Sequence, residues 1–153
     1  MSEPIHATAV LAGAHGILIR GPSGAGKSAL ALAMTERGAT LVADDRVFLS
    51  AVNGRLLATA PAATSGMVEL RGRGIVRREH ERNVVVSLVV DIVGAESVER
   101  MAEESELATE ILGIGIPRQP VSAGSEGAVK LIEAALAALS SRRNMNLRPA
   151  SLW

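Results

Sequence analysis

The octapeptide Gly21-Pro22-Ser23-Gly24-Ala25-Gly26-Lys27-Ser28 constrains this chain more than any other stretch. It satisfies the phosphate-binding pattern G-x-x-x-x-G-K-[ST] at every fixed position. The pattern has mechanical meaning only between a strand and a helix, and both flanks qualify. Gly16-Ile17-Leu18-Ile19-Arg20 precedes it as a short apolar strand candidate, and Ala29-Leu30-Ala31-Leu32-Ala33-Met34 follows as a run of strong helix formers. Glycines let consecutive backbone N–H groups curl around an anion where a Cβ would crowd it. The helix then points its positive dipole end at the same anion. In such a loop Lys27 reaches the terminal phosphates of a nucleotide, and the Ser28 hydroxyl can hold Mg²⁺.

Composition narrows the alternatives. At 153 residues, 48% of them hydrophobic and 21% charged, the chain reads as one ordinary globular domain spanning 1–153. Phe48 and Trp153 are its only aromatics, so the aromatic stacking platforms of single-stranded nucleic-acid binders are missing. Basic and acidic residues balance at 16 each, so no bulk charge favours nucleic acid or a membrane surface. With no cysteine, neither disulfides nor thiolate metal sites can form. There is no signal-like start and no span of membrane length, so the cytoplasm is the expected compartment.

Taken in order, residues 5–11 read as a first strand containing a lone His6, and Gly13 and Gly16 punctuate a turn into a second strand over 16–20. The helix after the loop should stop near Arg37, with Gly38 as its C-terminal cap. A strand over 39–47 carries the adjacent acids Asp44 and Asp45, where a Mg²⁺ partner or a catalytic base belongs beside a phosphate loop. Within a strand such neighbours would face opposite ways and do different jobs. Asn53-Gly54 signals a hairpin within 46–59, and 61–66 reads as a small-residue loop. Arginines between Arg71 and Arg82 suit a solvated face or a phosphate grip. Val84 to Asp91 reads as the central buried strand, and its closing Asp91 rivals the acid pair as a magnesium partner. Residues 96–112 read as an acidic helix containing Arg100, Pro117 and Pro120 as loop brackets, and 125–141 as a helix whose apolar face holds Val129, Ile132, Leu136 and Leu139. Residues 142–153 read as a frayed or partner-bound tail.

Three motifs together resemble the catalytic C-terminal domain of bacterial HPr kinase/phosphorylase. They are the loop at 21–28, Arg37-Gly38 leading into Leu41-Val42-Ala43-Asp44-Asp45-Arg46-Val47, and Val68-Glu69-Leu70-Arg71-Gly72 followed by Gly74-Ile75. The resemblance covers most of the chain and weakens after about residue 76, where an arginine-rich run is shorter than the family's segment. It implies an α/β fold, a phosphate-loop core of mixed strands flanked by helices and related to phosphoenolpyruvate carboxykinase, in a single-domain form without the family's N-terminal domain. It also implies an ATP- and Mg²⁺-dependent serine kinase, in many members also a phosphate-driven phosphorylase, acting on the phosphocarrier protein HPr. Homo-oligomers, hexamers in the family, go with it.

Carried over residue by residue, the loop Gly21, Pro22, Ser23, Gly24, Ala25 and Gly26 binds the nucleotide with Lys27 and Ser28. The magnesium ligands would be Ser28 and Glu69, with Asp44 in support beside them. Asp45 matches the acid that takes the serine proton, His6 the family's functional histidine, and Arg100 its catalytic arginine. Asp91 loses its claim, because the family does its acid chemistry at the Asp44-Asp45 pair. Two other readings of the loop stand beside this one: a small-molecule kinase, and a nucleotide-binding regulatory module with little catalysis.

Overall fold

The computed structural model describes residues 4–70, 72–98, 103–122 and 126–147, and for Glu126 and 142–147 the backbone alone. Strands β1 (Thr8–Ala12) and β2 (His15–Arg20) form the expected hairpin, but β1 starts later than residue 5. Ile5 instead makes a single backbone bridge to Val47. Gly16 does not belong to the turn. It lies inside β2, where a Cβ would sit 2.3 Å from the Val85 carbonyl oxygen, so only glycine lets the two backbones approach. Helix α1 (Lys27–Glu36) ends on Arg37, and Gly38 takes the left-handed conformation at φ 103°.

Strand β3 (Thr40–Ala43) joins the outer side of β1, and the hairpin of β4 (Phe48–Val52) and β5 (Arg55–Thr59) turns on Asn53 and Gly54, both at positive φ. A second hairpin, β6 (Met67–Leu70) with β7 (Gly74–Arg77), stands apart as its own two-stranded sheet. Strand β8 (Asn83–Val93) is central, and its burial changes along its length. Its first half alternates, with Val84 and Val86 in and Val85 out, where it pairs antiparallel with β5. Its second half, from Leu88 to Val90, is buried on both faces between parallel neighbours. The main order is β3-β1-β2-β8-β10-β9, with β2 and β10 (Ile114–Ser122) parallel to β8 and β9 (Ala108–Ile111) antiparallel to β10.

Both helices pack on one face of this sheet. Leu30, Ala31 and Met34 of α1 and Val129 and Ile132 of α2 (Glu126–Leu147) share a core with Ile17, Ile19, Leu88 and Val90. The other face is closed by the β4–β5 hairpin, whose Leu56 and Ala58 pack on Leu18, Val42 and Val89. The expected mixed α/β sheet is therefore present, but its described helices lie on one side of it.

Three expectations fail. Residues 96–112 do not form an α-helix: the described part has 3₁₀ turns at Ala95–Ser97 and Glu104–Leu107, then β9. The helix-like spacing there is outweighed by a tight turn at Leu112-Gly113, both at positive φ, which folds β9 onto β10. Pro117 and Pro120 bracket no loop and lie within β10. Pro117 is the last residue paired with β9, and beyond it the outer edge of β10, where Pro120 lies, has no strand partner among the described residues. Finally, α2 runs past its expected end at residue 141 and continues helically through 142–147, part of the stretch expected to be frayed or partner-bound; residues 148–153 lie outside the described residues. Among the described residues no helix is long and apolar enough to cross a membrane.

Asp91 is not a free acid at the end of β8. Arg20 grips it in a fork, Nε and Nη2 each at 2.8 Å, and Arg118 of β10 donates to the same carboxylate. Burial alone would raise this carboxyl, but the hydrogen bonds from Arg20 and Arg118 together outweigh it and hold it below the usual range. The fork from Asp91 in turn raises the Arg20 guanidinium. Removing one member of such a group leaves unpaired charge behind, so Asp91→Asn is expected to cost about 3 kcal/mol at pH 7. A depressed carboxyl contributes fully above its unfolded value near 3.9, and the contribution fades as pH falls through the lower folded value. Denaturation curves of the two proteins should therefore converge between about pH 5 and pH 2. A gap that persists undiminished to the acid end would remove charge as its source.

Candidate active site

The glycine-rich loop leaves β2 at Arg20 and closes on itself before α1 begins. Ala25 N–H donates to the Pro22 carbonyl at 3.0 Å, and Gly24 and Gly26 take φ of 81° and 104°, which a side chain would resist. Gly21 is tight for another reason: a Cβ there would lie 3.1 Å from Cβ of Ile92. Gly26 caps α1 without any side-chain bond, and the first turn carries no acid, so its leading N–H groups remain available to an anion. Lys27 is only 6% exposed, its ammonium donating to the carbonyls of Gly21 (2.8 Å) and Pro22 (3.3 Å). The loop thus holds its own cation over its mouth.

The acids meet this loop from β3. The strand ends at Ala43, so Asp44 and Asp45 stand in the bend beyond it and do not alternate across a sheet. Asp45 takes a left-handed φ of 62°, and both acids line one cleft of about 450 Å³ with Ser23, Lys27, Ser28 and Glu69. The expectation of opposite faces is thereby corrected, because a bend had replaced the strand. Their surroundings still differ. Asp44 is half-buried and fully engaged: Oδ1 accepts from Ser28 Oγ at 2.7 Å and from Thr8 Oγ1 at 3.2 Å, and Oδ2 accepts from Glu69 N–H at 3.2 Å. Asp45 is 58% exposed, and among the described residues its carboxylate meets only His6 Nδ1, at 3.8 Å.

Eight of the expected residues therefore line one cleft: Ser23, Gly24, Gly26, Lys27 and Ser28 from the loop–helix junction, Asp44 and Asp45 from the end of β3, and Glu69 from strand β6. His6 stands at the rim, exposed, beside Asp45. Gly21, Pro22 and Ala25 do not line the cleft; the Ala25 N–H bond to the Pro22 carbonyl closes the loop, and Ala25 packs against the main core. Arg100 lies outside the described residues. Asp91 does not line this cleft and is engaged by Arg20 and Arg118.

Thr8 is the residue that sequence reasoning overlooked. Fully buried in β1, it donates to Asp44 Oδ1 and accepts the Asp45 N–H at 3.1 Å, so one hydroxyl sets both acids. Its only signal was a hydroxyl between Ala7 and Ala9 in an otherwise apolar strand.

The donor set suits a hard cation. Ser28 Oγ and the carboxylates of Asp44 and Glu69 offer oxygen only, and among the described residues no group of three or more acids and histidines forms a preformed cage. Mg²⁺ prefers that situation, since it keeps water and completes its shell with substrate phosphate.

Comparison with known proteins points one way. The family described as HPr Serine kinase C-terminal domain matches residues 1–151. An HPr kinase/phosphorylase of Clostridium tetani is 52% identical over 61 residues, 40% of this chain and 20% of that protein. One from Clostridium beijerinckii is 44% identical over 72 residues, 47% of this chain and 24% of its own length. The chain thus spans about a fifth to a quarter of the length of these curated relatives. Among solved structures, the Hpr(Ser) kinase/phosphatase of Coxiella burnetii superposes with a TM-score of 0.80, covering 95% of this chain and 97% of that one. At 23% identity this likeness speaks to the fold alone.

The Thr8 geometry carries its own test. Thr8→Val keeps the shape and removes the hydroxyl, which should cost about 1–3 kcal/mol in urea unfolding. Hydrogen exchange at the Asp45 amide should speed up by about tenfold or more beyond that global loss. If the amide exchanges no faster than global destabilisation allows, Thr8 does not hold the acid bend.

Proposed function

This chain belongs to the HPr serine kinase C-terminal domain family, and on that premise we propose that it transfers the γ-phosphoryl group of ATP to a serine of HPr. The observation that carries the reading is the convergence of Lys27, Ser28, Asp44, Asp45 and Glu69 on one cleft at the start of α1. The loop amides and the open first turn of α1 would receive the phosphate chain. Lys27 would exchange the Gly21 and Pro22 carbonyls for the terminal phosphate oxygens, trading two neutral acceptors for a charged one. Ser28, Glu69 and Asp44 would hold Mg²⁺, which when bound supplies positive charge to the β- and γ-phosphate oxygens.

The two acids divide the remaining work by environment. Asp44, held in place by three donors, orients Ser28 and keeps acceptor capacity for the metal. Asp45, exposed, with its backbone N–H fixed by Thr8 and its carboxylate beside His6, is free to accept the proton of an incoming serine hydroxyl as the oxygen attacks phosphorus. The bond formed is serine O–P, the bond broken joins the γ-phosphorus to the bridging oxygen, and ADP leaves. His6, within 3.8 Å of that carboxylate, would orient it and steady its protonated form. Arg100 is assigned by family resemblance to the charge on the open side. The phosphorylase direction would run the same atoms in reverse, with inorganic phosphate as acceptor. ATP, Mg²⁺ and HPr meet in the cytoplasm, which is the setting this reading needs.

Radiolabelled ATP incubated with purified HPr should label one serine, and excess inorganic phosphate should remove the label if the reverse reaction operates. Asp45→Asn is expected to lower turnover by about 10²–10⁴-fold while ATP affinity stays within about threefold. Lys27→Met should weaken ATP binding itself. Nucleotide binding with no labelled HPr, by contrast, would favour a regulatory module.

A further inference from the structure

Strand pairing places more than Glu69 at the cleft. In the β6–β7 hairpin Glu69 lies directly opposite Ile75, and Met67 opposite Arg77, so these four side chains share one face. Val68 and Leu70 point the other way into the main core, with Val68 fully buried. The outer face therefore begins inside the cleft at Glu69 and continues outward as an uninterrupted strip. Ile75 is 68% exposed, more than any other large hydrophobic among the described residues. Arg73, Arg77 and Arg78 are exposed around it, and none of them is ion-paired among the described residues.

Charge on an edge strand alone has a simple purpose, since it discourages pairing with other chains. An isoleucine left two-thirds in water beside that charge works against it. An apolar anchor ringed by unpaired guanidiniums is instead what a protein partner seats on. We infer that the Met67–Glu69–Ile75–Arg77 face docks the acceptor segment of the protein substrate, taking an apolar side chain near the serine on Ile75 and carboxylates on Arg77 and Arg73. This deepens the kinase reading and rests on it. The strip has to lie next to the site, because the serine must reach Asp45 while its neighbours are held, and Glu69 belongs to both surfaces.

Purified HPr is the probe. Ile75→Ser, Arg77→Ala and the double variant are compared with wild type for HPr phosphorylation, with ATP affinity measured separately by calorimetry. The double variant should raise KM for HPr about tenfold or more while kcat at saturating HPr and ATP affinity stay within about twofold. The Arg77→Ala increment should shrink as salt is raised, and the Ile75→Ser increment should not. Wild-type labelling of HPr with KM unmoved in the double variant overturns the docking strip and leaves the kinase reading standing. A fall in oligomeric size by sedimentation, again with KM unmoved, assigns the strip to a second copy of this chain and overturns it too. Wild type that binds ATP but labels no HPr removes the kinase reading and the strip with it.

Discussion

The parallel pairing of β2 with β8 decides where the chain can bind anything. Its last register pair is Arg20 with Asp91, and there the two side chains close in a fork that Arg118 of β10 completes. The end of β2 is thereby tied to β8 and, through the Arg118 side chain, to β10. The next residue, Gly21, starts the loop, and the crowding of Ile92 against it leaves no room for a side chain. A loop of alternating left-handed glycines would otherwise be floppy, since glycine loses more freedom on folding than any residue. Its entry is clamped by charge and its exit by α1, whose Leu30, Ala31 and Met34 lie in the main core.

The acids are held by a different device. A carboxylate pair beside a buried ammonium needs either solvent or a dense set of donors, and here each acid takes one of the two. Asp44 has a serine, a threonine and a backbone amide on it; Asp45 has water and a histidine. The Asp44 carboxylate and the Asp45 backbone are joined through the single hydroxyl of Thr8, so the enclosed acid and the exposed one keep a fixed relation. The left-handed φ of Asp45 is uncommon for a residue with a Cβ, though Asp tolerates it better than most. That small strain aims the carboxylate out of the sheet and into the cleft.

What could be read beforehand was what is local. The strand, loop and first helix follow one another without interruption, and the cap at Gly38 and the turn at Asn53-Gly54 are set by their own residues. What could not be read depends on pairing across the chain. Thr8 reaches the acids because β1 lies antiparallel to β3 with Ala9 opposite Ala43, which sets position 8 beside the bend at Asp44. No periodicity carries that register. The segment before Ile114 shows the same limit from the other side: its spacing suits a helix, but a partner strand for Ala108–Ile111 exists only once Leu112-Gly113 has turned. Pro120 is likewise acceptable because, among the described residues, no strand pairs with that edge of β10 past Pro117.

The β6–β7 hairpin shows how the two levels meet. An isolated two-stranded hairpin is marginal in water, so this one is held by what it touches. Burying Val68 contributes about 1.5–3 kcal/mol, and Leu70 packs at the edge of the same core. Its other tether is polar, the Glu69 N–H on Asp44 Oδ2. Asp44 therefore fixes Ser28 with one oxygen and β6 with the other. Any charge that draws on that carboxylate acts at once on the base of the nucleotide loop and on the strand bearing Glu69. Because Glu69 and Ile75 face each other across the ladder, the position of the outer strip follows from the same bond. The cleft and the surface beside it are one mechanical unit, joined through the Asp44 carboxylate and the buried Val68.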